Sequence, residues 1–102
     1  MKESCPISKA TTFLGVKWTL ELIYFLQQHR RFCELQEMMD GLNPTTLSHR
    51  LKQLEAEGII QREVFPDNPR HVEYALTAKG TDLLAVHEEL SNWVSRWYPE
   101  EV

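Results

Sequence analysis

The stretch that most limits how this chain can fold is NPTTLSHRLKQLEAEG, from Asn43 to Gly58. It predicts one helix with both ends marked. Asn43 suits the capping of the first free amides, Pro44 suits the first helical turn, and Gly58 supplies the left-handed residue on which many helices end. Leu47, Leu51 and Leu54 recur at four and three residues, so they make one apolar stripe facing a core. At about 100° per residue the other face carries Thr45, Thr46, His49, Lys52 and Gln53, with Ser48 and Arg50 on its flanks. Hydroxyls, cations and an amide hydrogen-bond base edges or phosphates, and the acids of the helix, Glu55 and Glu57, sit at its far end. A plain solvated helix face would look similar. The neighbouring segments decide between the two.

Upstream, Phe32, Leu35, Met38 and Met39 give helical spacing, and Asp40-Gly41-Leu42 is a short turn leading into Asn43. Two helices joined by a tight glycine-containing turn, the second capped and polar outward, predict a helix-turn-helix rather than a simple helical hairpin. Before it, a helix is expected from Ile7 or Ser8 to Leu14, broken by Gly15. Lys17 to Gln28 follows as a dense, central helix in which Trp18 is the expected buried anchor beside Leu22, Ile23, Phe25 and Leu26. His29-Arg30-Arg31 then interrupts the pattern as a short strand or turn.

Downstream the period changes from helical to alternating. Ile59 to Phe65 and His71 to Thr77 are rich in β-branched and aromatic residues and predict a hairpin, with Pro66 to Arg70 as a stiff loop carrying Arg70 and His71 at its tip. A hairpin placed after a helix-turn-helix is a wing, and Arg70 is then the residue expected to reach a duplex backbone or minor groove.

Thr77 is the expected cap of a last helix running from about Ala78 to Tyr98. Leu83, Val86, Leu90, Trp93 and Trp97 are spaced three, four, three and four, which is a heptad seam. A chain of 102 residues builds only a modest core, so a further apolar stripe at its end predicts pairing with a second copy. The net charge of −4 argues against a nucleic-acid partner only until it is located. From Thr81 onward five acids face one base, and the preceding 80 residues hold ten of each. Local basic clusters therefore survive at His29 to Arg31, His49 to Lys52 and Arg70-His71.

Enzymatic signatures are missing from the sequence. His29, His49, His71 and His87 are scattered, and there is no Cys-x-x-Cys, His-Glu-x-x-His or glycine-rich phosphate loop. The chain is accordingly expected to be no enzyme and to carry no cofactor or metal. The N-terminus lacks the apolar stretch of a signal peptide and no apolar run approaches a membrane span, so the expected location is cytoplasmic, with Cys5 and Cys33 as free thiols.

Taken together, Cys5-Pro6, GVKWTLELIYFL from Gly15, and RRFCEL from Arg30 resemble the Cys-Pro, G-G-K-W and R-F-x-E-L segments of the HxlR-type branch of the MarR-like winged-helix transcription regulators. The resemblance continues through Leu47, Leu51, Leu54, Glu55 and Gly58, the P-x-x-P of Pro66 and Pro69, V-E-Y-x-L-T at Val72 to Thr77, and Gly80. It covers almost the whole chain, in order and spacing. Val16 stands where the family has its second glycine, a departure that bears on the local turn. The resemblance implies a homodimeric regulator with Asn43 to Glu57 as recognition helix and the wing astride flanking DNA. In several members the cysteine corresponding to Cys5 senses oxidants or electrophiles, so the resemblance makes Cys5 the candidate sensor, the alternative being a small residue with no sensing role. A thiol near a helix start and close to Lys2 and Lys9 is chemically suited to that.

The expected molecule is thus mostly α with a small β-hairpin. It is one winged helix-turn-helix domain over 1–102, with a DNA-binding core at about 17–77 and terminal helices at about 7–14 and 78–98 forming a dimer interface. Its expected partners are double-stranded DNA, a second copy of itself and a small-molecule or redox effector, with no membrane. Thr45, Thr46, His49 and Arg50 are expected to read bases, and Lys52 and Arg70 to hold phosphates, with Asn43 and Ser48 beside them. The rival reading is a winged-helix module that contacts proteins and not DNA.

Overall fold

The computed structural model describes residues 5–101; the expectations placed on the first four residues, including a contribution of Lys2 to the thiol's surroundings, lie outside them. Helix α1 (Pro6–Leu14) is followed by α2 (Thr19–Phe25), α3 (Phe32–Met38) and α4 (Pro44–Ala56). Strands β1 (Ile60–Phe65) and β2 (Asn68–Leu76) come next, then α5 (Ala78–Asp82), α6 (Leu84–Trp97) and a short 3-10 turn (Pro99–Glu101).

The core forms where the apolar stripes of the helices meet. Leu22, Ile23 and Leu26 from the α2 region pack with Leu35 and Met39 at α3, with Leu47, Leu51 and Leu54 of α4, and with Ile59 and Ile60 at the entry to β1. Each fully buried aliphatic side chain contributes about 1.5–3 kcal/mol relative to exposure. The three leucines of α4 therefore fix which face of that helix is left outside. Trp18 is not the buried anchor expected of it. It is half-buried, because it precedes α2 in a left-handed conformation (φ 79°) and packs at the rim of the core with Lys17 Nζ 4.9 Å from its ring centre. A bulky residue at positive φ is strained, so the surrounding turn must hold it there.

The turn after α3 uses two left-handed residues, Asp40 (φ 57°) and Gly41 (φ 72°). Gln36 Nε2 donates to the Leu42 carbonyl at 3.0 Å and closes it. Of the residues expected on the apolar face, Met39 is buried as expected, whereas Met38 is turned outward at 37% exposure.

The hairpin pairs Ile60 with Leu76 and continues through Arg62 with Tyr74 and Val64 with Val72. Phe65 then pairs with Asn68, so the connection is the two-residue turn Pro66-Asp67 and the three residues Pro69, Arg70 and His71 bulge out of register. This corrects the longer loop expected over Pro66 to Arg70. Pro69 has no N–H to give a ladder, which suits it to an unpaired stretch. Arg30 adds a single bridge to the other side of β2, its N–H donating to the Tyr74 carbonyl at 3.0 Å and its carbonyl accepting from Tyr74 at 2.7 Å.

The last helix is broken, where one continuous helix was expected. Thr77 Oγ1 does accept from the Gly80 amide at 3.1 Å and caps α5. At Leu83 the chain then tightens through bonds of three-residue span, Leu83 N–H to Gly80 O and Val86 N–H to Leu83 O, and α6 departs from that joint. Gly80 is buried against the Ile59 carbonyl so closely that a β-carbon would collide with it.

Candidate nucleic-acid interface

Helix α4 is presented by its cap and by its buried stripe. Asn43 Oδ1 accepts from the amides of Thr45 at 2.8 Å and Thr46 at 3.4 Å, so this side chain is engaged in starting the helix. Thr45, His49, Lys52 and Gln53 are exposed on the open face, while Thr46 and Ser48 are half-buried at its edges. Arg50 is placed differently. Its Nε donates to the Lys17 carbonyl at 2.9 Å and its Nη1 to Gln53 Oε1 at 3.3 Å, which ties the middle of α4 to the segment before α2.

Arg70 is exposed in the bulge of β2, where its amide donates to Asn68 Oδ1 at 3.3 Å. Phe65 packs edge-on against the His71 ring at 4.4 Å and stiffens the base of the turn. In the other basic cluster Arg30 is engaged through its side chain, Nε donating to the Phe25 carbonyl at 3.0 Å, whereas the Arg31 side chain is exposed and its backbone amide donates to Glu34 Oε1 at 2.8 Å to start α3.

The predicted seam is open to solvent for most of its length. Val86, Leu90, Trp93 and Trp97 are 42, 46, 50 and 64% exposed, and α6 has no buried residue. Leu83 differs, because at the α5–α6 joint it packs against the molecule's own core. Cys5 is exposed at the start of α1, and the amide and hydroxyl of Ser8, followed by the amide of Ile7, hold its thiol pKa below the ordinary 9.0.

Spacing in the sequence missed two polar sites. His29, Glu63 and Glu73 converge from the α2–α3 joint and both strands, with possible ligand atoms all within 4.8 Å of one another. Only the hairpin register, with Glu63 opposite Glu73, could have signalled this. His87 lies with Nε2 2.8 Å from the Leu20 carbonyl and Nδ1 3.2 Å from that of Leu83, linking α6 to α2. Among the described residues no helix is long and apolar enough to cross a membrane.

A capped polar helix lying over a leucine stripe, preceded by a helix and a tight turn and followed by a two-stranded hairpin, defines a winged helix-turn-helix protein. The family described as HxlR-like helix-turn-helix matches residues 13–102. The chain belongs to that family, whose members are DNA-binding transcriptional regulators. Among its relatives in Bacillus subtilis are YvaP, an uncharacterised HTH-type transcriptional regulator 37% identical over 93% of this chain and 90% of its own, and the HTH-type regulator YodB, 37% identical over 91% and 85%. The solved reduced form of YodB superposes with a TM-score of 0.81 at 36% identity, covering 94% of this chain and 96% of that one. The oxidised form of the redox regulator HypR superposes at 0.79 with 29% identity, covering 90% and 96%.

Proposed function

We propose that the chain is a homodimeric transcriptional regulator that binds a pseudo-palindromic operator, with one α4 helix in the major groove of each half-site. The carrying observation is the open face of α4, polar and exposed above Leu47, Leu51 and Leu54, which are buried. Thr45, Thr46 and His49 meet base edges near the start of the helix, and Lys52 and Arg70 hold phosphates. Asn43, Ser48 and Arg50 stand at the same surface; Arg50 adds its charge from a position fixed by the Lys17 carbonyl. The half-sites lie roughly 34–36 Å apart, or a multiple of that, because both recognition helices must enter the major groove on one face of B-DNA.

The second copy docks along Val86, Leu90, Trp93 and Trp97, with Leu83 at the root of the seam and α1 at its edge. Support comes from the exposure of that stripe on a helix with nothing of its own buried. Residues 17–77 then serve as the DNA-binding core and 7–14 with 78–98 as the pairing helices. No catalytic role is proposed, and the working place of such a regulator is the cytoplasm.

Cys5 is the proposed sensor. Its lowered thiol pKa and exposure support this, as do solved structures of YodB bound to quinone and of HypR in oxidised form. The experiment is anisotropy with the DNA upstream of the protein's own gene, on reduced protein, on protein oxidised mildly, and on Cys5→Ser in both conditions. Loss of binding on oxidation in wild type alone supports the sensor. Binding that falls steeply with salt supports DNA recognition, and its absence even at low salt would favour the protein-contact reading.

A further inference from the structure

Glu63 and Glu73 are register partners across the hairpin, and their side chains are 43 and 22% exposed. Like charges directly opposite on neighbouring strands repel, and partial shelter from water strengthens that repulsion. A lysine or arginine beside them would relieve it. Among the described residues, however, the basic groups within 4.0 Å are imidazoles: His29 Nδ1 lies 3.7 Å from Glu63 Oε1 and 3.3 Å from Glu73 Oε1, and His71 Nε2 lies 2.7 Å from Glu73 Oε2. A neutral imidazole differs from a fixed cation in offering a lone pair to a metal.

We propose that His29, Glu63 and Glu73 bind a divalent first-row transition-metal ion, of the Zn²⁺ or Co²⁺ kind, with His71 orienting Glu73. Donors about 2.0–2.1 Å from a tetrahedral ion lie roughly 3.3–3.4 Å from one another. The His29–Glu73 edge already has that length, and the remaining edges, none above 4.8 Å, close by rotation of glutamate side chains. A nitrogen donor beside two carboxylates selects such an ion over Mg²⁺ or Ca²⁺, which prefer oxygen alone. The His71 contact to the second oxygen of Glu73 is the kind of outer hydrogen bond that fixes a ligating carboxylate. The bound ion cancels the cross-strand repulsion and ties the α2–α3 joint to both strands of the wing.

The test is titration of the full chain with Co²⁺, read by its visible absorption, and with Zn²⁺ in competition with a chromophoric chelator. Saturable binding is expected, without the near-ultraviolet charge-transfer band of a thiolate ligand and unchanged in a Cys5→Ser, Cys33→Ser double variant. His29→Ala and Glu73→Gln should each weaken it by at least about tenfold and His71→Ala by up to about tenfold. His29 is 60% exposed, so circular dichroism of His29→Ala should match wild type. The proposal is overturned by absence of saturable binding at about 100 μM ion, or by binding that persists unchanged in both His29→Ala and Glu73→Gln.

Discussion

Arg50 Nε donates to the carbonyl oxygen of Lys17 at 2.9 Å, across thirty-three residues of chain. The bond joins the middle of α4 to the turn that carries Trp18 at positive φ. A recognition helix is useful only if its angle to the domain is fixed, and this contact is one of the few polar restraints on it. Arg50→Ala should destabilise the fold by about 1 kcal/mol, the usual net value of one such bond. Arg50→Lys should not restore it, because an ammonium on a flexible stem lacks the planar fork. Urea melts of both variants beside wild type check this; unchanged midpoints would show that the contact does not restrain α4.

The open face of α4 and the wing should separate in their effects on DNA. Replacing Thr46 or His49 should cost about 1–3 kcal/mol on the preferred operator and much less on unrelated duplex, because base-edge contacts carry sequence information. Lys52→Ala and Arg70→Ala should weaken both duplexes alike and reduce the slope of log affinity against log salt by about one each. If Thr46 and His49 variants kept full sequence preference, a different face of the helix would be reading the bases.

Two glycines show what the sequence could and could not convey. Gly41 was legible from its place in a turn, and its φ of 72°, with no atom within 4 Å of where a β-carbon would sit, makes it a purely conformational requirement. Gly80 stood out in the sequence only through the family resemblance, because the atom that excludes a side chain there, the Ile59 carbonyl, comes from twenty-one residues earlier. Gly80→Ala should therefore cost about 1–3 kcal/mol by overpacking, and Gly41→Ala about 1–2 kcal/mol by backbone strain. Chemical denaturation of the pair measures both.

The same distinction runs through the whole chain. Helices α3 and α4, their turn and the hairpin were legible because local periodicity and caps set them: Asn43 and Thr77 cap the helices they were expected to cap. What escaped was non-local. The outward turn of Met38, the half-burial of Trp18, the break at Leu83 and the bulge at Pro69 to His71 each depend on what another segment presents. At the interface, the residue types on α4 were legible, but the engagement of Arg50 with Lys17 was not, since nothing in either segment names the other.

Cys5 should react as a thiolate at lower pH than an ordinary cysteine. The Ser8 amide, then the Ser8 hydroxyl and the Ile7 amide, favour the charged form, which lowers the pKa from its ordinary value. A lowered pKa keeps the thiolate populated as pH falls, so the alkylation rate of a Cys33→Ser variant by iodoacetamide should reach half its plateau at lower pH than that of free cysteine measured alongside. Ser8→Ala should move that midpoint upward only in part, because the Ser8 amide, the largest cause, remains. A midpoint at or above the ordinary value would remove the electrostatic case for Cys5 as sensor.

The apolar stripe of α6 should be the dimer contact. Trp93 and Trp97 lie one turn apart and half or more exposed, with the Tyr98 ring tilted against that of Trp93 at 5.6 Å between centres, and a large aromatic side chain buries about 150–250 Å² when covered. A standard interface takes about 800 Å² per partner, which these residues with Val86, Leu90 and exposed Ile7 supply in good part. Sedimentation at micromolar concentration should therefore show a dimer. Leu90→Glu, placing a charge in the middle of the seam, should yield a folded monomer with an unchanged far-ultraviolet spectrum. Because two half-sites act together only when the copies are joined, that monomer should lose about 10²-fold or more in affinity for the full operator and far less for a single half-site. A wild-type monomer, or a Leu90→Glu dimer, would place the pairing surface elsewhere.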